Sequence, residues 1–509
     1  MMNRTRREFL AEVGQGMLVA SVGAAIAADL GLAPAFAKDA PESLTFGDRE
    51  PLVTLLQDTP ADKLLPILVG KIKDGTDLKT LVAAAALANA RTFGGQDYDG
   101  YHCFMALLPS LHMAQEMPKE QAALPVLKVL YRNTARMQAA GGHAREVMHP
   151  VAAAELPKGR DGAEVLQEET RKHDTPAAER TFAALVHGSA EDAFNDLLYS
   201  VQDEMNVHRV VLVWRAWATL DLTGKEQAHT LLRQSVRFCC TEGNRGQPEI
   251  YTLLPKLLDQ YKLAGKEIGK RRMDDAWVEK MAETIYGGGR AKAADAAAAA
   301  LADGVSPEDL GEAMSLAANR LVLCDPGRTK ADGTAKPIGS IHGASVGVHA
   351  SDSANAWRNI ARVSNHRNTF ASLICGAYHT AGQNGGQLKE GYPSAEQRDR
   401  VTAKDGAALL REAEDAIKAG DQARAAAVVH RYGELKLPER PVFDLLLRYG
   451  VSEDGALHAE KYYRTVTEEF TKTRAAYRWR QLVALARVTA SEHGFPAPGY
   501  ADACKLLKV

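Results

Sequence analysis

Histidine is the commonest metal-ligating side chain and the one whose charge changes near neutral pH, and this chain sets its histidines out in recurring contexts. His208 follows Glu204 and His458 follows Asp454, each by four residues. On a helix that spacing puts carboxylate and imidazole on one face. There the acid can ligate a metal directly or accept the second imidazole N–H and fix its tautomer; the plainer alternative is a capping or surface pair, since an acid in a first turn is favoured by the helix dipole. His102 follows Tyr101, and His342 follows Ile341. His349 lies seven residues beyond His342, among Ser345, Ser351, Asp352, Ser353 and Asn355. Seven residues is two helical turns, so 341–357 reads as a polar helix with both histidines on one face, suited to lining a pocket, or else as a hydrated loop.

The expected metal-binding set is therefore His102, His208, His342, His458 and His349, with Glu204, Asp454 and Tyr101 as the groups expected to act beside it. Such ligands fit iron, copper, manganese or zinc; iron and copper suit redox chemistry best, and zinc would suit hydrolysis. His187 and His430 form a further matched pair, His366 and His379 flank an apolar stretch, and His112, Trp214 and Trp217 read as structural.

The elements that must position these groups are helices. Periodic runs rich in Ala, Leu, Glu, Lys and Arg predict helices over 78–91, 119–137, 177–186, 207–220, 225–238, 291–302, 307–323 and 458–491. Alternating β-branched runs are almost absent, and glycine clusters at 94–95, 141–142, 287–289 and 327–339 mark loops. The fold class is all-α.

The chain also reads as duplicated. Leu87-Ala88-Asn89-Ala90-Arg91 aligns with Leu316-Ala317-Ala318-Asn319-Arg320, and Ala183 to His187 aligns with Ala426 to His430. Leu197-Leu198 leads to His208 as Leu446-Leu447 leads to His458, in the same order. The expectation is an internally duplicated helical array, solenoid-like, toroid-like or a pair of bundles, with an N-terminal half over 38–272 and a homologous C-terminal half over 273–509. Equivalent positions would then meet near a pseudo-twofold axis, pairing His102 with His342 and His208 with His458.

Lysine plus arginine number 62 against 64 aspartates plus glutamates. The basic residues are scattered, so no footprint for nucleic acid is expected. The six cysteines lie in no Cys-x-x-Cys arrangement, which disfavours covalent haem and cysteine-ligated clusters. No phosphate loop, dinucleotide fingerprint, His-Glu-x-x-His or Gly-x-Ser-x-Gly motif is present.

Residues 1–37 have the three parts of an export signal: Arg4, Arg6 and Arg7, an apolar run over 17–26, and Ala35-Phe36-Ala37 before Lys38. Thr5-Arg6-Arg7-Glu8-Phe9-Leu10 resembles the twin-arginine (Tat) box. The expected location is the periplasm or the exterior, with no integral membrane segment after cleavage.

The Leu-Ala-Ala-Asn-Arg helix, the Tyr101-His102 segment and Ile341-His342-Gly343 to Asn355-Ala356 resemble uncharacterised Tat-exported helical proteins of bacteria. More distantly they are similar to the questin-oxidase-like family. That resemblance implies a helical array in which recurring histidines host redox chemistry, and it carries over no catalytic residue. The functional expectation is a histidine-ligated metalloprotein, an oxidoreductase acting on a small organic molecule; a cofactor-free helical-repeat binding module and a zinc-dependent hydrolase or lyase are the alternatives.

Overall fold

Side-chain caps start most of the helices: Asp77, Asp97, Asp161, Asp174, Ser189 and Asn206 early in the chain, and Asp274, Ser306, Ser345, Asn365, Asp405 and Asp421 later, each accept a first-turn backbone N–H. The resulting architecture, in a computed structural model, is described for residues 42–242, 248–332, 336–341 and 345–509. The expected signal segment 1–37 and His342 lie outside the described residues.

Among the described residues there are twenty-three α-helices and no strand; two isolated β-bridges join Arg271 to Val305 and Glu453 to Pro496. A first series runs α1 (Glu50–Asp58), α2 (Ala61–Lys73), α3 (Leu78–Phe93), α4 (Tyr98–Glu116), α5 (Leu124–Ala140), α6 (Gly162–Arg171), α7 (Thr175–Val186), α8 (Ala190–Val201), α9 (Val207–Thr223), α10 (Ala228–Thr241) and α11 (Ile250–Gln260). A second runs α12 (Asp275–Gly287), α13 (Arg290–Ala302), α14 (Pro307–Leu323), α15 (Val346–Val363), α16 (His366–Gly382), the short α17 (Ala395–Asp399), α18 (Gly406–Lys418), α19 (Gln422–Glu434), α20 (Arg440–Ser452), α21 (His458–Lys472), α22 (Trp479–Glu492) and α23 (Tyr500–Leu507).

Residues 45–509 make one compact unit, and within it the packing partners of the second series repeat those of the first. α3 packs on α1, α4 and α5 as α14 packs on α12, α15 and α16; α10 packs on α7 and α9 as α22 packs on α19 and α21. The series also reach into each other symmetrically. α11 lies on α13 and α16, while α23 lies on α2 and α5. At the centre α4 and α15 each pack on both α9 and α21. Helices α3 and α14 are buried on nearly every side and rich in alanine, which lets neighbouring backbones approach closely on all faces.

Three expected helices differ, the 225–238 run among them, since Lys225–Gln227 form a 3-10 turn and α10 starts at Ala228. The 458–491 run is two helices, because the Arg474 backbone N–H donates to Glu312 at 2.8 Å and its guanidinium pairs with the same carboxylate at 3.0 Å, drawing the chain aside between α21 and α22. The 119–137 helix starts at Leu124, since 119–123 form turns. No helix among the described residues is long and apolar enough to cross a membrane.

Candidate functional site

The four central helices each carry a histidine within their first five residues: His102 on α4, His208 on α9, His349 on α15 and His458 on α21. Because these helices start side by side, the four rings meet. Ring centroids stand 4.7 Å apart for His102 and His208, 5.7 Å for His208 and His349, 5.1 Å for His349 and His458, and 5.1 Å for His458 and His102. The closed circuit matches the paired helices: α4 corresponds to α15 and α9 to α21.

In this packing His349 stands where His102 does; the expected pairing of His102 with His342 falls on a residue outside the described ones. His102 and His349 each sit two residues after a glycine, Gly100 and Gly347, and both glycines touch the preceding helix of their series. A Cβ on Gly100 would fall 2.6 Å from the Phe93 ring, and one on Gly347 would fall 2.5 Å from Val322 backbone atoms.

Hydrogen bonding fixes two of the rings. His102 Nδ1 donates to the Tyr98 carbonyl at 2.7 Å, and His458 Nδ1 donates to the Ala456 carbonyl at 3.0 Å. A carbonyl only accepts, so in the neutral imidazoles both Nε2 atoms carry a lone pair. His102 Nε2 and His208 Nε2 are buried with no partner, and His349 Nε2 faces His458 Nε2 at 3.0 Å. Burial pushes all four pKa values down, with the Lys461 ammonium as the next cause; His208 and His349 fall to about 3. The quartet is therefore neutral at pH 7. His102 and His458 are buried, whereas His208 and His349 are part-exposed, so the cluster opens on their side, beside the exposed Tyr98 and Val346.

Tyr101 lies where expected: its ring stacks on His102 at 5.0 Å and tilts against His208 at 5.2 Å. Burial raises its phenol pKa, which keeps it a neutral hydroxyl. The two acids differ from expectation. Glu204 and Asp454 both precede their helices, so the four-residue spacing does not place them on a shared helical face. Glu204 pairs with Arg209 at 2.9 Å. Asp454 pairs with Arg132 at 2.6 Å and accepts from the Ala456 N–H at 3.1 Å, so it braces the turn whose carbonyl holds His458. Ala456 and Leu457 adopt positive φ of 50° and 64° there, an uncommon conformation for non-glycine residues and one that functional sites tend to retain.

Sequence reasoning missed Lys461 and read Asp352 only as part of the polar 341–357 stretch. Lys461 follows His458 by three residues and Asp352 follows His349 by three, so each shares its histidine's helix face. Both are buried. Burial lowers Lys461 to about 8 and raises Asp352; the Asp352 carboxylate accepts from Thr465 Oγ1 at 2.8 Å. Arg215 on α9 is buried nearby. Cys103, next to His102, is a buried thiol pushed up to about 12, a poor source of thiolate.

The other described histidines stand elsewhere. His379 accepts from Trp357 Nε1 at 3.3 Å, His112 is influenced by Arg464 and Arg215, and His187 caps the end of α7. His430 lines a cavity of about 840 Å³ with Tyr392, Trp479 and Arg478. That cavity offers one histidine, whose Nδ1 has no hydrogen-bond partner and stands 3.7 Å from Glu434. Among the described residues no three His, Cys, Asp or Glu side chains already stand in a metal-holding arrangement: as the rings lie, the His349 and His458 nitrogens bond each other.

Compared with known protein families, curated proteins and solved structures, the chain matches none.

Proposed function

We propose that His102, His208, His349 and His458 bind a single transition-metal ion and that the protein is an oxidoreductase acting on a small organic molecule at the open side of that centre. The observation that carries this reading is the pair of orphaned ring nitrogens: the Tyr98 carbonyl takes Nδ1–H of His102, and its Nε2 is buried without a partner beside His208, whose Nε2 is likewise unpartnered. Leaving such groups unpaired costs free energy, and a metal ion would satisfy them.

An ion would need the rings to rearrange, since as they lie they do not form a metal-holding group. With metal–nitrogen bonds of about 2.0 to 2.1 Å, neighbouring ligands in a tetrahedral site stand about 3.3 Å apart. The 3.0 Å between His349 and His458 Nε2 requires a small turn of the rings and transfer of one ring proton. All-imidazole ligation suits iron, copper or zinc, and iron or copper would supply the redox chemistry. Tyr101 would shape the wall beside His102 and His208, and Asp454 would hold His458 through Ala456.

We further read the two helix series as homologous halves, and residues 1–37 as a Tat export signal. The test of the whole reading is metal analysis of protein purified after native export. About one iron or copper per chain is the expected result, with loss in His208→Ala and His349→Ala and no loss in His493→Ala, whose ring packs on Tyr449. A metal-free wild type that cannot be loaded would reject it. The 840 Å³ cavity beside Trp479 favours a binding module as the second reading, and in that case ligand affinity would survive His208→Ala and fall in Trp479→Ala.

A further inference from the structure

The cavity beside Trp479 lies between the C-terminal end of α19, the turn that leads into α22, and the chain around Tyr392 that leads into α17. At about 840 Å³ it has the size of pockets that enclose small organic molecules. Its walls are held in place. Arg474, at the start of the turn, is tied to Glu312 at 3.0 Å and to Asp275 at 2.8 Å. Trp479 lies on the α19 backbone at Gly433, where a Cβ would fall 2.6 Å from the ring, and Tyr432 and Phe470 stand at 5.9 and 5.8 Å. Tyr392 is backed by the buried Arg487 guanidinium at 4.0 Å, and its N–H donates to the Leu323 carbonyl at 2.8 Å. Both Trp479 and Tyr392 are nonetheless part-exposed, so fixed aromatic surface is open to a flat ligand with little ordering cost.

The charge on those walls is one-sided. Arg398, Lys436, Arg478 and Arg480 line the cavity against Glu434 and Glu439. Arg480 is neutralised by Glu279 at 2.8 Å, and Glu434 by Arg431 at 3.2 Å. Among the described residues no carboxylate pairs with Arg398, Lys436 or Arg478; the Arg478 guanidinium lies over the Phe470 ring at 5.0 Å. Glu439 is thus the acid left to face these cations, and the surplus favours an anion.

We infer that this cavity is a second ligand site, which binds a small aromatic acid with its ring against Trp479 and its carboxylate among Arg398, Lys436 and Arg478. Guanidinium groups suit a carboxylate through paired N–H donors. None of the lining residues belongs to the quartet, so the inference stands whether or not a metal binds there.

The test is isothermal titration calorimetry of the full mature chain with 2-naphthoate, its uncharged isostere 2-naphthamide and its saturated analogue decahydro-2-naphthoate. Saturable binding of about one 2-naphthoate per chain is expected, with the other two each about tenfold weaker. Arg398 and Lys436 are exposed, and asparagine suits the positive φ of 56° at Lys436. The double variant Arg398→Gln, Lys436→Asn should therefore fold normally, bind 2-naphthoate about tenfold more weakly and bind 2-naphthamide as before. Trp479→Leu should weaken all three ligands, and His208→Ala should weaken none. Should Trp479→Leu fail to fold, the double variant decides alone. Absence of saturable 2-naphthoate binding overturns the inference, as does equal binding of the amide. Binding that ignores the double variant but is lost in His208→Ala puts the acid at the quartet and overturns it as well.

Discussion

A single proton position carries much of the chemistry here. His458 keeps its lone pair on Nε2, which meets His349 Nε2 at 3.0 Å, because the Ala456 carbonyl takes its Nδ1–H, and Ala456 is held by Asp454, itself paired with Arg132. Asp454→Asn keeps the shape but weakens this chain of contacts, so metal affinity is expected to fall about ten- to a hundredfold, as for other residues that orient a ligand. Competition with a chelator measures it, and rescue by Asp454→Glu would separate positioning from bulk structure. Glu492 offers a stability prediction at the same scale. It is buried on α22 with Oε1 unpartnered, and burial raises its pKa to about 8, with Glu460, Asp454 and Glu453 reinforcing and Lys128 opposing. Between its ordinary value of 4.5 and that raised value, the native state holds a proton that the unfolded chain has lost. Stability therefore falls as pH rises through this window, by up to about 1.4 kcal/mol per pH unit. Glu492→Gln removes that dependence, so thermal unfolding should show the variant gaining on wild type from pH 5 to pH 8. A variant less stable at every pH would mean that the carboxylate is ionised and paired.

At the scale of helices, the site depends on how closely α4 and α15 sit on the helices before them. Gly347 has Val322 backbone where a Cβ would go, and backbone cannot swing aside as a side chain can. Gly347→Ala should displace the start of α15, costing about 1–3 kcal/mol and lowering metal binding through His349. Gly100→Ala meets only the Phe93 ring, so its loss should be smaller; denaturant unfolding compares the two. The same local geometry explains what could be read in the sequence. The helical class and the histidines at 102, 208, 349 and 458 were legible because periodicity and residue type survive without coordinates. Their pairing was not: eleven residues separate Arg91 from His102, while twenty-nine separate Arg320 from His349, so the longer connection put His342 at the sequence position nearest to the repeat. The glycine two residues before each histidine was the better guide. Glu204 and Asp454 misled because spacing alone does not show where a helix begins; Asn206, which accepts the His208 and Arg209 N–H groups at 2.9 and 3.4 Å, marks that start between Glu204 and His208. Lys461 went unread, and Asp352 was read only as one of several polar residues near His349, because a three-residue step from a histidine gains meaning only once the histidines are known to converge.

For the whole chain, the decisive feature is that neither helix series owns the centre. The first contributes His102 and His208, the second His349 and His458, and each lays its last helix across the other, α11 on α13 and α16, α23 on α2 and α5. The crossing contacts are buried and include charge: Lys128 on α5 reaches Glu460 on α21 at 2.7 Å and donates to the Gly450 and Glu453 carbonyls at 3.0 and 2.7 Å. A half expressed alone would lose that ion pair and leave a large apolar face in water, which removes much of the burial that stabilises the fold. Fragments 45–272 and 273–509 are therefore expected to be poorly folded separately and to assemble when produced together. Metal binding discriminates sharply, because two imidazoles from either fragment make a weak site and four from the pair make a strong one. Circular dichroism should show helix content rising on mixing, and one metal ion should be retained through gel filtration only by the mixture. Independent folding of either fragment with tight metal binding would mean that the four-helix centre is not the site.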